Sequence, residues 1–224
     1  MKKGKRILKA KDLVDKAKLY DIETAVDLVK KTATAKFDES VEAHIRLNID
    51  PTKGDQAIRG SVVLPHGTGN EVRIGVIVND DKILGDEKVD VVGGEDLIKK
   101  IKAGNVPEVD VIVTTPDMMP KLASAAKVLG PRGLMPSPKT GTVTTNVVDV
   151  IKELKKGKNS FKNDKTGNVH QIIGKASFDK KQLIENFEAF LNAVSAQKNE
   201  AHKGKLIKSV SICSTMGPGI KVKA

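Results

Sequence analysis

Apolar positions along this chain change period several times, and each change marks an element. Val41, Ala43, Ile45, Leu47 and Ile49 alternate with Glu42, His44, Arg46 and Asn48. A period of two with one apolar face predicts a half-buried strand. Residues 58–64 predict another strand, and residues 206–213 and 220–222 predict closing ones. Asn163-Asp164-Lys165-Thr166-Gly167 predicts a turn between strand-like runs, the second ending at Ile173. Elsewhere the spacing is helical. Leu183, Phe187, Phe190, Leu191 and Val194 form the inward stripe of a long helix over 179–197. Two shorter helices are expected over 12–18 and 24–32, the second starting near Asp21.

The middle of the chain alternates strand and helix. Residues 72–78 predict a strand nearly too apolar for a wet face, 89–92 a short second strand and 109–113 a third. Helices are expected over 95–103, with Leu97, Ile98 and Ile101 at helical spacing, and over 118–129 and 146–156. This order predicts a parallel sheet covered on both faces. Neither flanking piece holds enough elements to close a core alone. Together they make a sheet with helices on one side. The expected organisation is two α/β domains, one from residues 1–66 and 158–224, the other an insertion of 67–157. Glycines near 66–69 and 157–158 predict a hinge at the two crossings.

At 224 residues the chain is long enough for two domains, and 39% hydrophobic content is enough to fold. Aromatics are only 3%, with Tyr20 the sole Tyr and no Trp. The cores must therefore be aliphatic, and a row of base-stacking rings is disfavoured. The net charge of +11 and pI of about 9.6 suggest nucleic acid or an anionic membrane surface as partner. Its distribution says more. Residues 67–157 carry 13 Lys+Arg and 13 Asp+Glu, so the whole excess lies in the outer pieces. No apolar run approaches the roughly 20 residues of a membrane span. The basic start has no hydrophobic segment behind it and is not expected to be a secretory signal. Cys213, the one cysteine, is expected to be a small core residue, and a chain with no internal disulfide suits a reducing compartment.

Gly67-Thr68-Gly69 and Gly93-Gly94 complete neither phosphate-loop nor dinucleotide fingerprints and read as hinge and turn glycines. His44, His66, His170 and His202 lack metal-ligand spacing with one another or with Cys213. No nucleophile with a base can be picked out, so no catalytic, metal or cofactor site is expected. His44 and His170 read as exposed strand residues or as hydrogen-bond donors to RNA. The six basic residues between 2 and 11 read as a solvated arm or a phosphate-contacting one. Residues 129–142 hold three prolines and three glycines. They are either a stiffened surface loop or one whose Arg132 and Lys139 meet phosphates. Ser214-Thr215-Met216-Gly217-Pro218-Gly219 is either a hairpin loop or a point of close approach. In the second case the Thr215 hydroxyl pairs with the partner, and Gly217 holds a φ that a branched residue would not tolerate.

The run from 129 to 143 closely resembles the signature of the L-one family of large-ribosomal-subunit proteins, in its bacterial form. Phe37-Asp38-Glu39-Ser40-Val41-Glu42, Asn163-Asp164-Lys165-Thr166-Gly167, Gly174-Lys175-Ala176-Ser177-Phe178 and Ser214-Thr215-Met216-Gly217-Pro218 resemble that family's other motifs, in the same order. The resemblance implies an α/β sandwich formed by both chain ends and an inserted Rossmann-like three-layer α/β domain. It implies a non-enzymatic constituent of the large ribosomal subunit, cytoplasmic and monomeric when free, with no cofactor. The implied partners are the mobile stalk of large-subunit ribosomal RNA, exit-site tRNA whose release it helps, and its own operon mRNA, whose translation it represses. Implied RNA contacts are Lys36, Phe37, Glu42, Lys165, Thr166, His170, Ser211, Thr215, Met216 and Gly217. The middle domain is somewhat compact around 80–89 relative to the family. The rival readings are a nucleotide-dependent enzyme or a small-molecule-binding regulator using the middle domain. The enzyme lacks a fingerprint, a metal constellation and a positive field there.

Overall fold

The computed structural model describes residues 4–79, 89–198 and 204–223. The compact middle segment and His202 fall largely or wholly outside these. The first elements are α1 (Lys5–Asp12), α2 (Ile22–Thr32), β1 (Ser40–Leu47) and β2 (Arg59–Val63). Then come β3 (Ile74–Ile77), β4 (Val91–Gly93), α3 (Glu95–Lys102), β5 (Val111–Thr114), α4 (Met119–Leu122), α5 (Ala126–Leu129) and α6 (Val147–Lys155). The chain closes with β6 (Lys158–Lys162), β7 (Asn168–Lys175), α7 (Lys180–Ala196), β8 (Ile207–Ser214) and β9 (Ile220–Val222). Two compact units result, residues 1–69 with 159–224, and residues 70–158.

In the first unit β7, β1, β8 and β9 form one antiparallel sheet in that order. The alternation of β1 buries Val41, Ala43, Ile45 and Leu47 on one face. Ala25, Val26 and Val29 of α2 and Leu183, Phe187, Phe190 and Val194 of α7 pack in the same core. The Asp179 N–H donates to the Gln182 side chain at 3.0 Å, which starts α7 with a capping box. Strands β2 and β6 pair separately, so the outer pieces build a four-stranded and a two-stranded sheet rather than one. Buried Asn186 fixes the chain after β2: its Oδ1 accepts the His66 N–H at 3.1 Å and its Nδ2 donates to the Gly67 and Ile173 carbonyls.

The first helix differs from expectation. It occupies Lys5–Asp12, while residues 14–19 are non-helical. Side chains explain the shift. Asp15 Oδ1 accepts the Ala17 N–H at 2.9 Å, and the Tyr20 hydroxyl accepts the Asp15 N–H at 2.9 Å. These local bonds take donors a helix would use. The upstream segment is rich in good helix formers and buries Ala10. The basic arm is therefore a helix over its described part.

In the second unit β4, β3 and β5 form a parallel sheet. All four residues of β3 are buried, because both faces are covered. Ile74, Val76 and Val113 pack with Val147, Val150, Ile151 and Leu154 of α6. Ile77 and Ile112 pack with Ile98, Ile101, Met118, Leu122, Ala125 and Leu129. Two cores on one sheet make three layers. The single helix expected over 118–129 is a series of short 3-10 and α turns from Pro116 to Leu129; Pro120 has no N–H to give to a regular helix. The loop after it is tied internally. The Ser137 N–H donates to Thr142 Oγ1 at 2.9 Å, and the Thr140 hydroxyl donates to the Ser137 carbonyl at 2.9 Å. Val143 then bridges Thr114 in parallel. Arg132 is exposed; the Lys139 side chain lies outside the described residues. Among the described residues no helix is long and apolar enough to cross a membrane.

Candidate nucleic-acid interface

Alternation has a second consequence. The residues of β1 that do not enter the core, Glu42, His44 and Arg46, share the sheet face opposite the helices. Pairing extends that face sideways. His44 stands opposite His170 of β7 and Ser211 of β8, and Ser211 stands opposite Lys221 of β9. One polar row, His170–His44–Ser211–Lys221, therefore crosses all four strands. Arg46 stands between Asn168 and Ser209, and Glu42 between Ile172 and Cys213.

Side chains on this face touch one another. His44 Nδ1 lies 2.8 Å from His170 Nδ1, and the rings meet edge-on at 5.0 Å between centroids. His44 Nε2 lies 3.1 Å from Cys213 Sγ and 3.8 Å from Glu42 Oε2. Cys213 is thus not a core residue. Its alternation places it, partly buried, on the polar face, where burial and then the Glu42 charge push its thiol up to about 11.

Burial, and then the charge of His170, push His44 below its ordinary 6.5, with Glu42 pulling the other way. The unfolded chain then takes up this proton before the folded one does. Stability from His44 is present above 6.5 and is lost as pH falls through the folded value. His44→Gln is expected to flatten the acid-side decline of unfolding midpoints in urea, followed by Tyr20 fluorescence. An unchanged pH slope would contradict this account.

At the Leu47 end of β1, Asp164 shapes the turn into β7. Its Oδ1 accepts the Thr166 and Asn168 N–H groups at 2.9 and 2.7 Å, and its Oδ2 accepts the Thr166 hydroxyl at 2.7 Å. The Asn168 N–H in particular, outweighing burial, holds its carboxyl well below the usual range. Gly167 takes a φ of 79°, a left-handed value that glycine permits. Lys165 and Thr166 are left exposed at the tip.

At the Ser40 end, the loop from β8 to β9 meets residues 35–39. The Thr215 N–H donates to the Ser40 carbonyl at 2.9 Å, and the Ser40 N–H donates to Thr215 Oγ1 at 3.0 Å. Phe37 and Met216 are 55% and 48% exposed, two of several large apolar side chains at the surface, and both are open to a partner. The Thr215 hydroxyl also donates to the Ser40 carbonyl at 3.2 Å, so it ties the loop to β1 and keeps one lone pair for a partner. One expectation needs correction. Gly217 is not among the glycines with positive φ. A Cβ there would instead lie 2.5 Å from Ser214 Oγ, so space rather than backbone conformation requires glycine.

The ten residues implied as RNA contacts all fall in the first unit. Lys36, Phe37, Thr215, Met216 and Gly217 gather at the Ser40 end, Lys165 and Thr166 at the other. Glu42, His170 and Ser211 lie on the face between, over a strand length of roughly 23 Å. His44, Arg46 and Lys221 belong to the same face. The alternation of 41–49 was signal enough for the first two. Arg6 donates to the Met216 carbonyl at 2.9 Å across 210 residues, and no local pattern announces it.

Residues 29–218 match the family model of the Ribosomal protein L1p/L10e family, a span that contains all ten residues. Large ribosomal subunit protein uL1 of Mesoplasma florum is 53% identical over 221 residues, 98% of this chain and 97% of that one. The proteins of the same name from Mycoplasma capricolum subsp. capricolum and Mycoplasma mycoides subsp. mycoides are 50% and 49% identical, over 98% of both chains. With a family match over most of its length and full-length relatives at half identity, the chain belongs to the Ribosomal protein L1p/L10e family, a family of structural ribosomal proteins and not of enzymes.

Proposed function

We propose that this chain is a structural constituent of the large ribosomal subunit. Residues 1–66 and 158–224 bind the mobile stalk of its ribosomal RNA, and the inserted 67–157 take no part in that grip. The observation that supports this best is the uncovered polar row His170–His44–Ser211–Lys221, in the part of the chain that holds the basic excess. Basic side chains attract the RNA and release its counterions. The rigid sheet face and its end loops then read a folded shape through 2′-hydroxyl, phosphate and base-edge contacts. Glu42 repels phosphate and fits such a surface only where its carboxylate accepts a hydrogen bond. The same surface binds the protein's own operon mRNA where that RNA presents a similar shape, so ribosomal RNA and mRNA compete and free protein represses translation. On the cytoplasmic ribosome, the protein rides on the stalk and helps exit-site tRNA leave.

The test is binding of a stalk-RNA transcript at several salt concentrations. Lys165→Ala, at an exposed turn, is expected to reduce the magnitude of the salt slope by about 1. Ser211→Ala is expected to lower affinity while leaving the slope unchanged. Equal RNA affinity for residues 67–157 alone would overturn the assignment.

A further inference from the structure

The loops at the Ser40 end carry two exposed large apolar side chains, Phe37 and Met216, on segments that burial cannot hold. What holds them lies beneath. Glu39 is 1% exposed. Its Oε1 accepts the Ala35 N–H at 2.9 Å and its Oε2 accepts the Met216 N–H at 3.0 Å. Its carbonyl accepts the Ala176 N–H at 2.8 Å. Burial pushes this carboxyl up, but the Ser214 hydroxyl, the two backbone N–H groups and the Arg6 guanidinium outweigh it and hold it below the ordinary range. Arg6, on α1, also donates to the Met216 carbonyl. The Met216 residue is therefore held at both its N–H and its carbonyl.

We infer that Glu39 is a positioning residue for RNA recognition: its carboxylate locks the segment bearing Lys36 and Phe37 to the turn bearing Thr215, Met216 and Gly217, and Arg6 closes the clamp from the N-terminal helix. The inference rests on the proposed RNA interface. The physical reason is pre-organisation. The 215–217 turn is uncharged and cannot draw RNA from a distance, so it acts by shape, and a loop already in its binding conformation loses less entropy on association. A carboxylate suits the task because each of its two oxygens accepts one N–H. A glutamine offers one oxygen and one NH2, and the NH2 faces a donor, so one of the two segments is released.

The experiment uses the full chain and a transcript of the stalk helices. Glu39→Gln is expected to lower affinity about tenfold, equivalent to losing one well-made hydrogen bond, with the salt slope unchanged. In a Glu39→Gln background, Met216→Ala is expected to cost less than it does in the parent, because the released turn no longer presents Met216 in place. Lys165→Ala, at the far end of the sheet, is expected to cost the same in both backgrounds. Should Glu39→Gln fail to fold, Arg6→Ala removes the clamp from the other side, and its coupling to Met216→Ala is read the same way. Parent-like binding by a folded Glu39→Gln, with Met216→Ala still weakened, overturns the inference and leaves the interface standing. Full additivity of Glu39→Gln with Met216→Ala overturns it too, since Glu39 then acts only through general stability. If neither Met216→Ala nor Lys165→Ala weakens binding, the interface reading fails and takes the inference with it.

Discussion

Gly217→Val is expected to lower affinity for stalk RNA by about tenfold to a hundredfold, as loss of an energetically dominant contact in an interface does. The cause is steric. A Cβ at this position sits 2.5 Å from Ser214 Oγ and 3.5 Å from Thr32 Oγ1. Ser214 is 1% exposed, so its hydroxyl has little room to retreat. The Gly217 N–H also closes the turn onto the Ser214 carbonyl at 3.0 Å. Valine must therefore open the turn and carry Thr215 and Met216 away from Ser40 and Glu39. No charge is removed, so the dependence of affinity on salt should keep its slope. Gly217→Ala separates space from conformation. It carries the offending Cβ without branching, and since the glycine has no positive φ it should fail by the same clash to a smaller degree. If both variants fold and bind like the parent, the turn is only a connection between β8 and β9.

Phe190→Ala is expected to cost about 3–5 kcal/mol of stability in the first unit. Phe190 is fully buried on α7, and its ring meets Phe161 of β6 edge-on at 5.7 Å between centroids. The chain has five Phe and no Trp, so aliphatic neighbours must fill whatever cavity is left. The cavity also undercuts the packing between α7 and the β2–β6 pair. Tyr20 is the only tyrosine and lies in the first unit, so its fluorescence in a urea titration reports that unit alone. The RNA affinity of the folded variant should match the parent's, because Phe190 packs on the helix side of the sheet. A loss below about 1 kcal/mol would place this site among ordinary surface substitutions and contradict its burial.

Much of this architecture is written in local periods. The alternation over 41–49 became β1 with its buried and polar faces, and the stripe from Leu183 to Val194 became the core side of α7. The alternating strands and helices of the middle became a parallel sheet with a core on each face. These features are legible because a period of two or 3.6 is imposed by backbone geometry and needs no distant partner. The contact residues came from motif resemblance, since periodicity alone could mark only Glu42, His44 and Arg46 as one polar row.

Other features depend on groups far apart in the chain. The helix expected over 12–18 gave way to Lys5–Asp12 because the Tyr20 hydroxyl and Asp15 take the donors that helix required. Cys213 reads as a core residue in an apolar stretch, and only its position opposite Glu42 shows that it faces outward. Thr215 reads as a free hydroxyl until Ser40, 175 residues away, engages it. No local pattern marks Glu39 for burial, yet folding places it between the N–H groups of Ala35 and Met216. Periodicity tells which side of an element is apolar, but not which strand lies beside it or which donor a carboxylate meets. Pairing of β1 with β7 and β8 settles those partners, and it joins the two chain ends into one surface.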